Sequence, residues 1–172
     1  RVHRRQRQMC IRDSGSTAVS LADHVNAQFD QSLSWDDIEW FKQHWGRKIV
    51  LKGIQTIEDA KLSVQHGVDA IALSNHGGRQ LDDAPNPIDL VQPVFNAVGG
   101  QVEIFCDGGI RRGSDIVKAI ALGADACMIG RPFLYGLGAA GEKGVDWVLN
   151  FLKEGMHQTM ALLGAKHLTD LH

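Results

Sequence analysis

The chain has 172 residues, of which 44% are hydrophobic and 22% charged, and this composition is that of one globular domain with its own core. Its net charge of −2 gives no electrostatic footprint for nucleic acid, so no nucleic-acid partner is predicted. No run of about 18 apolar residues occurs, and the sequence therefore predicts no membrane-spanning helix.

Residues 1–14, RVHRRQRQMCIRDS, differ in composition from the rest of the chain. They hold five arginines and one aspartate, and they lack the apolar region of a signal peptide. We interpret this segment as a non-native or disordered leader, with a transit peptide or a basic arm as the alternatives. The domain itself is predicted to span residues 15–172.

From residue 15 onward the sequence alternates between helical and strand patterns. STAVSLADHVNAQF and SWDDIEWFKQHWG predict two helices, and Ser34 with Asp37 forms a capping box at the start of the second. KIVLKG then predicts a strand. TIEDAKLSVQHG predicts a helix that begins after Thr56 and ends at Gly67, and DAIALSN predicts the next strand.

The second half of the chain continues the alternation. After a loop with two prolines, IDLVQPVFNAV predicts a helix that Pro93 kinks or restarts. VEIFCDGG predicts a third strand, SDIVKAIALG a helix from Ser114 to Gly123, and DACMIGR a fourth strand. The segment VDWVLNFLKEGMHQTMALLG predicts a long closing helix.

The predicted strands are short, continuous and apolar, which is typical of a parallel sheet covered on both faces. Strands that alternate with helices indicate an α/β fold. The segments EDAKLSVQHGVDAIALSN and SDIVKAIALGADACMIGR align without gaps, so the chain contains an internal helix–strand repeat. Such repeats occur in (β/α)8 barrels, and an open doubly wound sheet remains the alternative at this point.

Chemically active residues fall at the carboxyl ends of the four predicted strands. Both a barrel and an open sheet bind their ligands at this edge. One charged residue there is usually only a solvated loop residue, but four successive strand ends favour a functional site. The residues concerned are Lys52, Ser74, His76, Asp107, Gly130 and Arg131.

Two glycine-bearing segments, CDGGIRRGSD and IGRP, indicate a phosphate-binding site. Glycines let backbone N–H groups approach an anion, the start of the following helix adds its dipole, and Arg111 and Arg131 supply guanidinium groups. Barrels usually bind phosphate after their last two strands, which fits if the third and fourth strands here are the last two.

Several of these segments together resemble the FMN-dependent α-hydroxy-acid oxidases and dehydrogenases, the family of glycolate oxidase and L-lactate dehydrogenase. The matching segments are SLSWDDIEWF, IVLKG, SNHGGRQLD, FCDGGIRRGSDIVKAIALGADA and MIGRPFLYGLGAAGEKGV, and SNHGGRQLD is the most specific of them. The resemblance covers nearly everything after residue 15. It implies a flavin-binding TIM (β/α)8 barrel, of which this chain supplies the last four βα units and the C-terminal helix.

The resemblance also implies roles for individual residues. His76 matches the active-site base, and Arg79 matches the arginine that binds the substrate carboxylate beside it. Lys52 matches the lysine near flavin N1 and O2, and Ser74 matches a flavin-ring contact. Ribityl and phosphate contacts are implied for Asp107, Gly108, Gly109, Ile110, Arg111, Gly130 and Arg131.

The implied activity is the FMN-dependent oxidation of a small L-2-hydroxy acid of the lactate or glycolate type to the 2-oxo acid. Oxygen, a quinone or a cytochrome is the implied electron acceptor, and a homo-oligomer is the expected state of a full-length protein. The family's first half, with its tyrosine pair, has no counterpart here. The alternative is therefore a truncated, non-catalytic half-barrel that at most binds FMN phosphate or a complementary chain.

The three cysteines form no CxxC pair, which indicates free thiols in a reducing compartment. We accordingly expect a cytoplasmic location, with a peripheral position at the inner membrane face as the alternative. Cys106 and Cys127 lie within predicted strands and are expected to be buried as small hydrophobic residues. The histidines form no HExxH motif, and no metal site is predicted.

Overall fold

The structure, a computed structural model, describes residue 30 and residues 32–171. The predicted leader and the predicted helix STAVSLADHVNAQF lie outside these residues. The chain divides into two compact units, Arg1–Phe41 and Lys42–His172. All of the strands described below belong to the second unit.

Helix α1 (Asp36–Trp45) is the predicted SWDDIEWFKQHWG helix, and it begins in the first unit. The Asp37 carboxylate accepts the backbone N–H of Ser34 at 2.7 Å. The Ser34 hydroxyl donates to the same carboxylate oxygen at 3.2 Å and does not cap the helix N–H groups. Only the half of the predicted capping box that involves the Asp37 side chain is therefore formed.

The second unit alternates strands and helices as the sequence predicts. Thr56 caps the first of these helices, because its hydroxyl accepts the N–H of Asp59 at 3.0 Å. In chain order the elements are β1 (Val50–Ile54), α2 (Ile57–Gln65), β2 (Ala70–Ser74), α3 (Pro87–Val98), β3 (Glu103–Asp107), α4 (Gly113–Ala121), β4 (Ala126–Met128), α5 (Arg131–Leu163) and a 3-10 helix (Leu168–Leu171).

The four strands form one parallel sheet in the order β1-β2-β3-β4. Each new strand joins the same side of the previous one, so the sheet lacks the reversal of direction that defines a doubly wound fold. This consecutive order is that of a (β/α)8 barrel, and the structure is a partial barrel as predicted. Among the described strands, β1 pairs only with β2 and β4 pairs only with β3.

The hydrophobic core lies between the sheet and the helices. In the central strand β2, Ile71 and Leu73 are completely buried, and so is Ile104 on the neighbouring strand β3. Helix α3 contacts both strands and contributes Val91 and Val94, which are also completely buried. Since side chains alternate along a strand, the opposite face of the sheet carries Ala70, Ala72 and Ser74 in β2 and Asp107 in β3.

The internal repeat of the sequence is also present in the structure. The Asp69 carboxylate, just before β2, accepts the backbone N–H of Ile49 at 2.7 Å. At the equivalent position before β4, Asp125 accepts the N–H of Ile104 at 2.7 Å. Each aspartate thus ties the start of its own strand to the start of the preceding strand.

Two helices differ from the prediction. Helix α3 continues through Pro93, so Pro93 does not restart the helix, which was one of the two predicted outcomes. Proline removes the hydrogen bond to the carbonyl of Asp89, and both residues are exposed, so water can satisfy that carbonyl. Helix α5 begins at Arg131, earlier than predicted, and non-helical backbone angles at Ala140 and Gly141 divide it into two segments.

Glycines allow these two segments of α5 to pack closely. A Cβ at Gly136 or Gly144 would overlap the backbone of the other residue, so the two segments touch at a point where only glycine fits. The low helix propensity of four glycines in this region explains why its first segment was not predicted. Of the helices that the structure describes, none is both long and apolar enough to cross a membrane.

Replacing Gly113 by alanine is expected to destabilise the fold by roughly 3 kcal/mol, because overpacking a rigid contact forces backbone movement. A Cβ at Gly113 would overlap the backbone of Gly155 and Met156, where α4 packs on α5. The matched control is Gly138→Ala, since a Cβ there meets nothing within 4 Å. Urea unfolding of both variants tests the contact, and equal stabilities would contradict it.

Candidate functional site

Three predicted residues meet at the carboxyl edge of the sheet. Ser74 and Asp107 are paired in register on β2 and β3, so their side chains lie on the same face. The Ser74 hydroxyl donates to Asp107 Oδ2 at 2.7 Å, and Lys52 Nζ donates to Ser74 Oγ at 3.0 Å. Lys52 Nζ also forms an ion pair with Asp107 Oδ2. Lys52, Ser74 and Asp107 thus form one connected cluster, which we call the edge cluster.

His76 follows β2 in a tight left-handed turn. His76 itself has a φ of 56°, and Gly77 and Gly78 have φ values of 68° and 71°. Asn75 organises the turn, because its side-chain oxygen accepts the N–H of Gly77 and its carbonyl accepts that of Gly78, both at 3.0 Å. The backbone N–H of His76 donates to Ser74 Oγ at 3.1 Å, which joins the turn to the edge cluster.

Gly53 brings the imidazole of His76 against strand β1. Its φ of 104° coincides with an irregularity in the pairing of β1 with β2 between Lys52 and Ile54. A Cβ at Gly53 would lie 3.2 Å from Cε1 of His76. Glycine therefore provides both the strained backbone conformation and the space that the imidazole occupies.

Arg79 lies in the exposed loop after the His76 turn. Within the described part of the chain its guanidinium takes part in no hydrogen bond or ion pair. The resemblance implies that this group binds the substrate carboxylate. The structure does not bring Arg79 into the edge cluster, so its predicted pairing with His76 stays a prediction.

The loop after β3 has left-handed backbone at both of its glycines. Gly108 and Gly109 have φ values of 135° and 77°, which favour glycine over any other residue. Gly109 is exposed and a Cβ there would meet nothing within 4 Å, so a ligand can approach its backbone. Ile110 is buried and anchors the loop, whereas the Arg111 side chain is exposed.

The start of helix α4 contributes less to anion binding than the sequence predicts. The Asp115 carboxylate accepts the backbone N–H groups of Arg111 and Arg112 at 3.0 and 2.9 Å. These donors are therefore already satisfied by a carboxylate of the chain itself. The exposed backbone at Gly109 and the guanidinium of Arg111 remain available to a phosphate.

The loop after β4 contacts the His76 turn. Gly130 precedes α5 and has open space at its Cβ position, and Arg131 is the first residue of the helix. Arg131 Nη2 donates to the carbonyl of Gly77 at 3.3 Å. This contact joins the predicted phosphate loop to the predicted catalytic turn across β3. The side chain of Arg131 is exposed, so a phosphate can also reach it.

The donors and acceptors at this edge fit FMN. Arg111 and Arg131 are exposed cations beside open glycine backbone, which suits a phosphate. Asp107 uses one carboxylate oxygen in the edge cluster, and in the described residues its other oxygen has no hydrogen-bond partner and can accept from a hydroxyl. Lys52 supplies a cation near the centre of the edge. An anionic cofactor with a hydroxylated chain matches this set.

The two cysteines of the sheet are neighbours, since Cys106 and Cys127 are paired in register on β3 and β4. Cys106 is completely buried as predicted, and Cys127 is only partly buried. Burial raises the pKa of Cys106 from 9.0 to about 11, with a smaller contribution from Asp107. Burial also raises the pKa of Cys127 to about 12, with smaller contributions from Cys106 and then Asp115. Both thiols are therefore protonated at neutral pH.

These raised pKa values predict a loss of stability in alkali. Between 9.0 and about 11 the folded chain holds thiol protons that the unfolded chain has lost, so the free energy of unfolding falls as the pH rises through this range. Urea unfolding at several pH values measures the effect, and Cys106→Ala is expected to reduce it. A stability that does not change over this range would contradict the burial of these thiols.

Sequence reasoning missed two residues of the site, Gly53 and Asn75. Both lie in segments that were quoted as motifs, IVLKG and SNHGGRQ. A glycine inside a predicted strand signals a bulge or a close approach, so Gly53 had a readable signal. An asparagine before two residues with positive φ is a common turn former, and that signal was also present.

The chain is similar in sequence to known oxidases and dehydrogenases of hydroxy acids. The chain is 51% identical to 2-hydroxyacid oxidase 1 of Mus musculus over 148 residues, which are 86% of this chain and 40% of that protein. It is 50% identical to a putative L-lactate dehydrogenase of Mycobacterium tuberculosis over 152 residues, 88% of this chain and 37% of that protein. The chain thus spans about 40% of the length of the curated relatives that it matches.

Solved structures support the same relationship. Mandelate oxidase with (S)-4-hydroxymandelic acid superposes with a TM-score of 0.84 at 41% identity, over 94% of this chain and 45% of that one. A family model described as FMN-dependent dehydrogenase matches residues 2–172, and the cofactor of that family is the predicted one, FMN. Since the match covers almost the whole chain, this chain belongs to the FMN-dependent dehydrogenase family.

Proposed function

We propose that this chain carries the catalytic end of an FMN-dependent oxidoreductase that converts a small L-2-hydroxy acid to its 2-oxo acid. The observation that carries the proposal is the arrangement of His76, which lies against Gly53 and is joined through its backbone to the edge cluster. The imidazole of His76 thereby lies against the residue that follows Lys52, at the ligand-binding edge of a barrel sheet. The relatives named above, an oxidase of 2-hydroxy acids and a lactate dehydrogenase, support this class of reaction.

His76 is the proposed base of the reaction. An imidazole has an ordinary pKa near neutral pH, so its neutral form can accept the proton that the substrate loses on oxidation. When bound, FMN supplies the acceptor for the two electrons that leave the α-carbon. The left-handed turn holds the imidazole beside β1.

Arg79 is the proposed ligand of the substrate carboxylate. Its exposed guanidinium presents a planar pair of donors to a planar anion, and lysine could not reproduce this geometry. Binding the carboxylate at Arg79 would orient the hydroxyl-bearing carbon toward His76, three residues earlier in the same loop. A simple alcohol has no carboxylate for Arg79 to bind, so this residue would favour 2-hydroxy acids over simple alcohols.

Lys52 has an electrostatic role in this proposal. Its ammonium group is the cation of the edge cluster, held by Ser74 and Asp107. A fixed positive charge at this place stabilises the negative charge that the cofactor gains on reduction. Gly109, Arg111, Gly130 and Arg131 are the proposed phosphate ligands, and Asp107 is the proposed acceptor for a ribityl hydroxyl.

A second candidate function follows from the open sheet. Strands β1 and β4 each have a free edge among the described strands, and unpaired edges of parallel strands favour association. In this alternative the 172-residue chain alone holds at most the phosphate of FMN and needs a complementary chain to react. Lactate, glycolate and mandelate are all compatible substrates, and oxygen, a quinone or a cytochrome is the proposed electron acceptor.

The proposal is tested by mixing the FMN-loaded protein with hydroxy acids in the absence of oxygen. We expect L-lactate, glycolate or L-mandelate to bleach the yellow colour of the flavin, and D-lactate to leave it unchanged. Protein that binds FMN and is bleached by dithionite but by none of these acids would contradict the catalytic proposal and favour the half-barrel alternative.

A further inference from the structure

One loop carries both groups that the proposed function assigns to the substrate. It joins β2 to α3, covers residues 75–86 and contains His76 and Arg79. We call it the substrate loop. It has turns but no helix or strand, and most of its residues are exposed, so few contacts hold it. The positions of His76 and Arg79 therefore depend on the bonds that the loop makes.

The side chain of Asn75 makes two hydrogen bonds, one near each end of the substrate loop. Its Oδ1 accepts the backbone N–H of Gly77 at 3.0 Å. Its Nδ2 donates to the carbonyl of Pro85 at 3.4 Å, and this longer bond is the weaker of the two. A single carboxamide, half-buried at the end of β2, thus ties the beginning of the loop to its end.

The bond to Gly77 acts on His76. With a φ of 56°, His76 has a backbone conformation that is unfavourable for any residue other than glycine. Such a conformation persists only where neighbouring groups hold it. The Gly77 N–H on the Asn75 side chain and the Gly78 N–H on the Asn75 carbonyl provide that restraint, both at 3.0 Å. Loss of the side-chain bond is therefore expected to move the imidazole.

The bond to Pro85 acts on Arg79. It joins residues ten positions apart, and Arg79 lies in the exposed segment between them. Closing a loop removes many of the conformations that it would otherwise adopt. The guanidinium is therefore held in a smaller volume near His76 while this bond is present, which lowers the entropy cost of binding a carboxylate.

We propose that Asn75 is a positioning residue for both substrate-binding groups of the loop: its side-chain oxygen sets the place of His76, and its side-chain nitrogen sets that of Arg79. This inference rests on the proposed function, which makes His76 the base and Arg79 the ligand of the substrate carboxylate. It adds that two bonds of one residue govern two different steps. The bond to Gly77 governs the chemical step, and the bond to Pro85 governs substrate binding.

Two replacements of Asn75 separate these bonds. Asn75→Ala removes both of them. Asn75→Asp keeps an oxygen that can accept the N–H of Gly77, and aspartate forms this kind of turn as asparagine does. An ionised aspartate has no hydrogen to donate, so the bond to Pro85 is lost.

Asn86 offers matched controls for both variants. It is an exposed asparagine next to Pro85, and its Nδ2 donates to Asp89 Oδ2 at 3.1 Å. Asn86→Ala removes one side-chain hydrogen bond at the end of the same loop. Asn86→Asp adds the same negative charge as Asn75→Asp without touching the bonds of Asn75.

Amide hydrogen exchange and limited trypsin digestion of the full chain without flavin test the two bonds separately. The Gly77 amide is expected to exchange about tenfold faster in Asn75→Ala, as the loss of one hydrogen bond predicts, and at the wild-type rate in Asn75→Asp. Arg79 is the only lysine or arginine between Lys61 and Arg111, so cleavage after it reports on the loop. Relative to cleavage after Arg111, it is expected to be about three- to tenfold faster in both Asn75 variants. The Asn86 variants are expected to match the wild type in both measurements.

Flavin bleaching at several hydroxy-acid concentrations tests the two steps. In Asn75→Ala the rate at saturation is expected to fall by about 100-fold, the cost of misplacing a reacting group by roughly 1 Å. In Asn75→Asp that rate is expected to stay within about threefold of the wild type, while the half-saturating concentration rises by about tenfold. A rise of the same size in Asn86→Asp would assign the effect to charge and contradict the role of the Pro85 bond.

Two further results would overturn the proposal. A Gly77 amide as protected in Asn75→Ala as in the wild type would show that the side chain does not hold the turn. Cleavage after Arg79 at the wild-type rate in both Asn75 variants would show that it does not hold the loop. Neither measurement needs FMN or a hydroxy acid, so a wild type that no hydroxy acid bleaches counts against the proposed function alone. If Asn75→Ala does not fold, Asn75→Asp compared with Asn86→Asp decides by the cleavage rate and the half-saturating concentration.

Discussion

His76→Ala is expected to lower the rate of hydroxy-acid-dependent flavin bleaching by about 10³- to 10⁴-fold, the range that a positioned general base contributes. The imidazole lies in the turn after β2, against Gly53 of strand β1. Removing it leaves Lys52, Asp107 and both glycine loops in place. FMN is therefore expected to stay bound. Anaerobic stopped-flow mixing measures the rate, and absorbance of the purified protein measures the flavin content.

The control for this variant is His157→Ala. His157 is an exposed residue of α5, outside the sheet edge, and its replacement is expected to leave both readings unchanged. Loss of flavin together with activity in His76→Ala would contradict the assignment of His76 as a base. It would show instead that the histidine holds the cofactor.

Lys52→Met is expected to make the bound flavin harder to reduce and to slow its bleaching by about 100- to 1000-fold, the usual cost of losing one preorganised charge contact. Methionine keeps the length of the side chain and removes its charge. The Asp107 carboxylate, which exposes only 17% of its side chain, then loses its cation and opposes the negative charge that reduction brings. The loss of the ammonium charge and the uncompensated charge of Asp107 both make the flavin harder to reduce.

The measurement is the reduction potential of the bound flavin, found by equilibration with a dye of known potential. Lys52→Arg keeps the charge, so its flavin is expected to have a reduction potential close to that of the wild type. Lys61→Met removes an exposed charge of α2 and is expected to leave the potential unchanged. A potential in Lys52→Met equal to that of the wild type would contradict the electrostatic role of this lysine.

Local patterns in the sequence were sufficient to predict the strands and most helices. The strands β1 to β4 are short apolar runs bounded by glycine or polar residues, and Thr56 caps α2 as its sequence position predicts. The first segment of α5 was not predicted, because the four glycines between residues 136 and 144 weaken the helical pattern. Packing of Gly136 against Gly144 stabilises the segment instead. Pro132, near the start of that helix, was the signal that could have revealed it.

The site was predictable in its residues but not in its connections. The resemblance named Lys52, Ser74, His76 and Asp107, yet the bonds that join them cross 22 and 33 positions of the chain. Such bonds depend on strand order and register, which the sequence left open between a barrel and a doubly wound sheet. The use of Asp115 to cap Arg111 and Arg112 also depends on side-chain geometry that no local pattern specifies.

The central claim is that the two glycine loops at the carboxyl edge of the sheet bind the phosphate of FMN. The most direct test is a titration of the protein with FMN, in which the quenching of flavin fluorescence reports binding. It compares the wild type with the double variant Arg111→Ala, Arg131→Ala. Arg47→Ala, Lys153→Ala is the control, since it removes two exposed charges away from these loops. We expect saturable binding to the wild type and to the control. In the double variant we expect affinity lower by about 100-fold or more, as the loss of two charge-assisted contacts predicts. Equal affinity in the double variant and the wild type would contradict the claim.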